Sequence, residues 1–190
     1  MRVFFATDVH GSEICWRKFL NAGQHYKADV VILGGDMTGK ALVPIIDDGG
    51  GRWHATLLEN REEDEPDLRR RFDAMIGQVS VDPQHQIFSL HCPPYNTGLD
   101  DAPQLTAEMD LKDAGRSTVP VGSTAVREVI EEHQPALSLH GHIHEARATK
   151  RLGRTLCINP GSSYEQGQLL GAVVDLDGKK KVKRFVLTSG

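Results

Sequence analysis

Four short apolar runs in this chain each stop at aspartate or histidine. VFFA precedes Thr7-Asp8-Val9-His10, VVIL precedes Gly34-Gly35-Asp36, QIFSL precedes His91, and PALSL precedes His140-Gly141-His142-Ile143-His144. VFFA, a short apolar run without polar alternation, reads as a strand buried on both faces; VVIL is a further β-branched run, and QIFSL and PALSL also read as strands. Between the first two runs, residues 12–26 place Ile14, Cys15, Phe19, Leu20 and Ala22 at near-helical spacing. Strand, helix, strand in that order is a βαβ unit, so the pattern predicts an α/β fold with parallel pairing. In open α/β sheets the ligand crevice lies beyond the carboxyl ends of the strands. Asp8, His10, Asp36, His91, His140, His142 and His144 are therefore expected on one rim, although they are far apart in sequence.

The remaining elements follow from the same periodicities. Residues 41–58 read as a hairpin about an Asp-Gly turn, and a helix begins near Pro66 with Leu68, Phe72, Met75, Ile76 and Val79 on one stripe. Residues 92–122 read as a long irregular segment, and 123–134 as a helix with Val126, Val129 and Ile130 inward. TLCI (155–158) is a further strand, and LLGAVVDL (169–176) with KVKRFVL (181–187) a closing hairpin. Trp16 and Trp53 are expected as buried anchors. With 190 residues and no repeat or linker, a single domain over 1–190 is expected.

Charge and composition exclude several classes. The net charge of −4 supplies no global field for nucleic acid, and the basic runs at 69–71 and 179–184 read as solvated surfaces. No apolar stretch approaches the roughly 20 residues of a membrane span, and the N-terminus has no signal-like apolar core. Cys15, Cys92 and Cys157 are scattered and form no CxxC pair. A cytoplasmic protein with unbridged thiols is the expectation.

Carboxylate and imidazole donors without thiolate suit Mn²⁺, Fe or Zn²⁺. Two carboxylates and at least four histidines exceed what one ion takes. Two ions about 3.5–4 Å apart would use them all, activate a water and clamp a phosphoryl group for in-line attack. In an extended segment His142 and His144 would point to opposite sides, each toward a different ion or one of them toward solvent.

Asp8-Val9-His10, Gly35-Asp36, His91 and Gly141-His142-Ile143-His144, together with INPGS at 158–162, resemble the motif series of the calcineurin-like metallophosphoesterases. The resemblance runs from Met1 to Asp36 and again from about Phe88 to Asp175. It implies two facing mixed β-sheets flanked by helices, an αββα sandwich. It implies a phosphatase or phosphodiesterase with two divalent cations and a phosphoester substrate. Asp8, His10, Asp36 and His144 would hold the first metal, Asp36 would bridge, and His91 and His142 would belong to the second. Asp36 and His142 are the candidates for catalysis. His140 matches no ligand position and is expected to be supporting or structural. The family's Gly-Asn motif is absent between Asp36 and His91, where Asn60 in LLENREED is the lone asparagine and lacks the glycine. That implies a middle segment, 37–87, shortened relative to long relatives, and a reduced activity. The alternative is a catalytically inactive metal-binding scaffold or protein-interaction module descended from such an enzyme. Asn96 and Asp100 border the substrate or pack their loop, and Arg116, Arg147 and Arg154 are candidates for phosphate contact that the sequence does not rank.

Overall fold

Side chains along Arg2–Ala6 (β1) alternate between two apolar environments: Val3 and Phe5 belong to one core cluster, Phe4 and Ala6 to another. That period of two is what a strand buried on both faces produces. The computed structural model describes residues 1–38, 45–49, 52–55, 65–77, 82–178 and 181–190. After β1 come Glu13–His25 (α1), Val30–Leu33 (β2), Ile45–Gly49 (β3), Arg52–Ala55 (β4) and Glu65–Gly77 (α2). Ile87–Ser89 (β5), Asp101–Pro103 (β6), Thr118–Pro120 (β7), Thr124–His133 (α3) and Leu137–Leu139 (β8) follow. Ala148–Leu152 (β9), Thr155–Asn159 (β10), Leu170–Leu176 (β11) and Val182–Ser189 (β12) complete the order.

One four-stranded sheet has the order β12-β11-β1-β2, the other β5-β8-β10-β9. In the first, β1 pairs parallel with β2 and antiparallel with β11. In the second, β8 pairs parallel with β5 and β10, and β9 pairs antiparallel with β10. Val3, Phe5, Ala172 and Val174 of the first sheet meet Leu137, Leu139, Leu156 and Ile158 of the second in one buried cluster. On the outer face of the first sheet α1 seats Cys15, Phe19 and Ala22 against Phe4 and Ala6. On the outer face of the second, Val126 and Ile130 of α3 pack on Cys157, Leu99 and Leu152. Two facing mixed sheets flanked by helices are thus the observed architecture, as the resemblance implied. Ser12 and Ser123 cap α1 and α3, each accepting from a backbone N–H three residues on.

Several local expectations differ from the structure. Ile14 and Leu20 of α1 are solvent-exposed, because the buried stripe runs through Cys15, Phe19 and Ala22. Trp16 is also exposed, at 38%, stacking on Phe19 from outside and not anchoring the core. The 92–122 segment contains the β6–β7 hairpin and a short 3₁₀ turn at Lys112–Gly115. Strand β9 escaped the sequence reading because its central residues, Thr149 to Arg151, are polar on an edge strand where only Leu152 is buried. The expected 41–58 hairpin is represented by the antiparallel pair β3–β4, while Asn60, Val79 and the Trp53 side chain lie outside the described residues. No helix among the described residues is long and apolar enough to cross a membrane.

Asp175 on β11 is the cross-strand neighbour of Arg2 on β1 and Arg184 on β12. Arg2 Nε donates to its Oδ1 at 2.7 Å and Arg184 Nη2 to its Oδ2 at 2.7 Å. The hydrogen bonds from Arg2 first, then Arg184, hold the carboxyl well below the usual carboxylate range. A depressed folded-state pKa stabilises above the unfolded carboxylate value near 4 and is lost as pH falls through the folded one. Asp175→Asn is accordingly expected to be less stable than the wild type at pH 7, with the gap closing from about pH 4 downward, as read by urea denaturation across pH.

Candidate metal centre

The β1–β2 ladder does not stop with the strands. Asp8 N–H donates to Gly35 O at 3.2 Å, His10 N–H to Asp36 O at 2.9 Å, and Gly11 N–H to Met37 O at 3.0 Å. In the second sheet Leu90 N–H donates to Leu139 O at 3.0 Å and Gly141 N–H to His91 O at 2.9 Å. The reactive side chains therefore lie on paired extensions of parallel strands, at their carboxyl ends. The two rims are joined through Asp8. Its carboxylate accepts the His142 backbone N–H at 3.1 Å and the Thr7 hydroxyl at 2.7 Å, and its carbonyl accepts the Ser162 hydroxyl at 2.7 Å.

Six of the seven residues expected on the rim form two groups. Asp8, His10 and His144 offer donor atoms within 4.8 Å of one another, as do Asp36, His91 and His142. Asp8 Oδ1 lies 3.3 Å from His144 Nε2, 3.8 Å from His10 Nε2 and 3.6 Å from His91 Nε2. Asp36 Oδ2 lies 3.6 Å from His10 Nε2 and 3.4 Å from His91 Nε2, and so touches both groups. Two imidazole nitrogens, His10 Nε2 and His144 Nε2, are 3.1 Å apart, a distance at which they share a proton or face a common cation. His91 Nε2 is buried without a hydrogen-bond partner, yet it points at both carboxylates. Donors around one ion at bonds of about 2.1 Å sit about 3–4 Å apart, which these separations match.

Asp8, His10, Asp36 and His142 all have positive φ, at 53°, 43°, 41° and 68°. Strain of this kind persists only where the surroundings over-determine it, and it clusters at functional sites. It also corrects the expectation of an extended His142-x-His144 segment. His142 is left-handed, Ile143 is buried between the two histidines, and this bend sends the imidazoles to different groups. Gly141 is forced by the same crowding, since a Cβ there would stand 2.2 Å from Asp8 Oδ2. At Gly35, with φ at 133°, a Cβ would stand 2.5 Å from His91 Nδ1.

His140 joins neither group. It is fully buried, with Nδ1 2.8 Å from Leu90 O and 3.2 Å from Cys92 O, and so braces both residues that flank His91. Burial lowers its pKa to about 4, against the opposing pull of those two carbonyls. His142, at the open face, is also pulled below the ordinary value, by desolvation first and then by His91. Asn159, buried at the end of β10, donates to Leu99 O at 3.0 Å and Ile143 O at 2.9 Å and accepts from Gly161 N–H at 2.9 Å. It pins the histidine loop to its surroundings. Sequence reasoning singled out INPGS without giving Asn159 this task, and it missed Thr7, Ser162 and Tyr164. The Tyr164 ring packs against His10 with centroids 4.6 Å apart. The INPGS motif and the hydroxyl before Asp8 were the available signals.

Asp100 is a buried loop anchor, accepting N–H groups from Asn96 at 2.7 Å, Thr97 at 2.9 Å and Gly122 at 3.0 Å. Among the candidate arginines, Arg116 bonds Asp113 O and Arg154 reaches Gln84, whereas Arg147 lines a cavity shared with His144.

Residues 78–185 match the family model for metallophosphoesterases of the calcineurin superfamily. The match takes in more than half the chain, and the protein belongs to that superfamily of metal-dependent phosphoesterases. A stretch of 72 residues is 36% identical to an uncharacterized protein of Methanocaldococcus jannaschii, MJ1162, covering 37% of this chain and 28% of that protein. The chain thus spans little more than a quarter of that relative's length. The crystal structure of TT1561 of Thermus thermophilus aligns with a TM-score of 0.58 at 14% identity, over 100% of this chain and 97% of that one. It has the same fold. A structure described as a novel archaeal phosphodiesterase aligns at 15% identity with a TM-score of 0.45, over 99% and 100% of the two chains.

Because His140 is buried with a lowered pKa, the unfolded chain binds a proton near pH 6.5 that the folded one refuses until about 4. Its contribution favours folding above 6.5 and is lost as the pH falls toward 4, at about 1.4 kcal/mol for each pH unit between those two values. His140→Asn keeps a donor for the Leu90 and Cys92 carbonyls and removes the titration. The stability advantage of wild type over variant in urea is expected to shrink between pH 7 and pH 4.5.

Proposed function

We propose that residues 1–190 form one phosphoesterase unit working with two divalent cations. One would be held by Asp8, His10, Asp36 and His144, the other by Asp36, His91 and His142. The carrying observation is Asp36 Oδ2, within 3.6 Å of His10 Nε2 and 3.4 Å of His91 Nε2, the position a bridging carboxylate needs. The nitrogen and oxygen donor set, free of thiolate, supports Mn²⁺, Fe or Zn²⁺. A cation pair of this kind supplies water activation and neutralises the oxygens of a phosphoryl group.

The chain's own residues then have distinct tasks. Asp8, held by Thr7 and the His142 N–H, fixes the floor of the site. Asp36, with 44% of its side chain exposed, stands at the mouth and aligns the two groups. His142 is exposed, and desolvation lowers its pKa, the direction that favours the neutral imidazole ligation requires. The missing Gly-Asn favours a second reading, a metal-binding scaffold without turnover, because the second group has three donors among the described residues.

Protein loaded with Mn²⁺ is expected to hydrolyse an aryl phosphomonoester or phosphodiester and to bind close to two ions per chain. Asp36→Ala is expected to lower kcat by at least about 100-fold, the scale of losing a principal electrostatic group, and to reduce metal content. Turnover that survives Asp36→Ala sinks the phosphoesterase reading. Two bound ions with no turnover on any ester select the scaffold instead.

A further inference from the structure

The first group of donors opens, on its His144 side, into a cavity of about 500 Å³. Volumes of roughly 300–1,000 Å³ are those of small-molecule sites. One wall is the segment after the histidines, with Glu145 and Arg147. The other is the turn after β10, with Ser163, Tyr164, Glu165 and Gln166. Tyr164 belongs to both regions, its ring centroid lying 4.6 Å from that of His10 and 5.7 Å from that of His144. The cavity thus borders the first donor group, through His144 and the Tyr164 ring.

The chemistry of the walls narrows what that group is. Hydroxyls, carboxylates, an amide and a guanidinium face the space, and Leu170 is the one aliphatic side chain among the lining residues. An alkyl or acyl chain placed there would strip water from these groups and return no hydrogen bonds, at a cost of about 1–3 kcal/mol for each group left unpaired. A compound carrying several hydroxyls replaces that water bond for bond. Glu145 and Glu165 oppose further negative charge, so the entering part is not a second phosphate. Arg147 is committed to the wall: Nη1 donates to Pro160 O at 2.6 Å and Nη2 to Thr188 O at 3.0 Å. It ties the turn after β10 to β12.

We infer that this cavity receives the organic part of the ester, and that this part is a polyol of the sugar or glycerol type. The inference rests on the phosphoesterase reading and names its substrate class. Mn²⁺-loaded wild type is assayed on glycerol phosphate and a hexose phosphate against phenyl and hexyl phosphate, each also as its methyl diester. The polyol esters are expected to show at least a 10-fold higher kcat/KM. Ser163→Trp narrows the cavity and is expected to cut that preference at least 10-fold, chiefly through KM, while metal content per chain stays as in the wild type. A preference for the phenyl or hexyl esters, or a preference untouched by Ser163→Trp, overturns the inference. If no ester is hydrolysed, the catalytic reading fails and calorimetry decides the cavity. Glycerol phosphate binding more tightly than hexyl phosphate, and weakened by Ser163→Trp, supports it; equal binding of the two rejects it.

Discussion

Asp8 is 1% exposed, and so deep a carboxylate costs several kcal/mol unless donors or cations surround it. The chain surrounds it from every side. Thr7 gives a hydroxyl, the His142 backbone gives an N–H, and the Nε2 atoms of His144, His91 and His10 stand at 3.3, 3.6 and 3.8 Å. These groups come from the ends of β1, β5 and β8, hence from both sheets. Compensating one carboxylate therefore fixes where the two sheets meet, and everything else at this edge is arranged around that requirement.

The backbone bears the consequences. Strands delivering side chains to a shared point must turn sharply past their last ladder bond, and the turn falls on Asp8, His10, Asp36 and His142, all left-handed. Left-handed non-glycine residues cost of order 1 kcal/mol or more each. That strain is held by the ladder extensions to Gly35, Asp36 and Met37 and by the Asn159 side chain at the histidine loop. Where even this leaves no room, glycine appears, at Gly141 under Asp8 and at Gly35 under His91.

What the sequence disclosed follows from which forces are local. Buried strands announce themselves as short, mostly apolar runs, so β1, β8 and β10 and the polar residues beyond their ends were legible, and the convergence of Asp8, Asp36, His91 and His144 followed from parallel topology. Helix positions were legible from apolar spacing, fully in α3 with Val126, Val129 and Ile130 and partly in α1, whereas the Ser12 and Ser123 caps emerge only in the structure. Strand β9 was not, because an edge strand with Thr149, Lys150 and Arg151 has no apolar signature. Trp16 misled because size suggests burial, while its helix turns that face outward. The tasks of His140 and Asn159 depend on carbonyls of Leu90, Cys92, Leu99 and Ile143, contacts that exist only after folding. The split between His142 and His144 was anticipated for the wrong reason, alternation along a strand, when a left-handed bend produces it.

The two donor groups are unequal, and the inequality follows from the same architecture. The first is built on buried Asp8, with His10 and His144 partly buried beside the Tyr164 ring; in the second, Asp36 and His142 are exposed. Electrostatic attraction between a cation and carboxylates grows as water is excluded. Under the dinuclear reading, the buried group would therefore hold its ion more firmly, and the second would exchange with solvent more readily. The absent Gly-Asn lies on that second, weaker side.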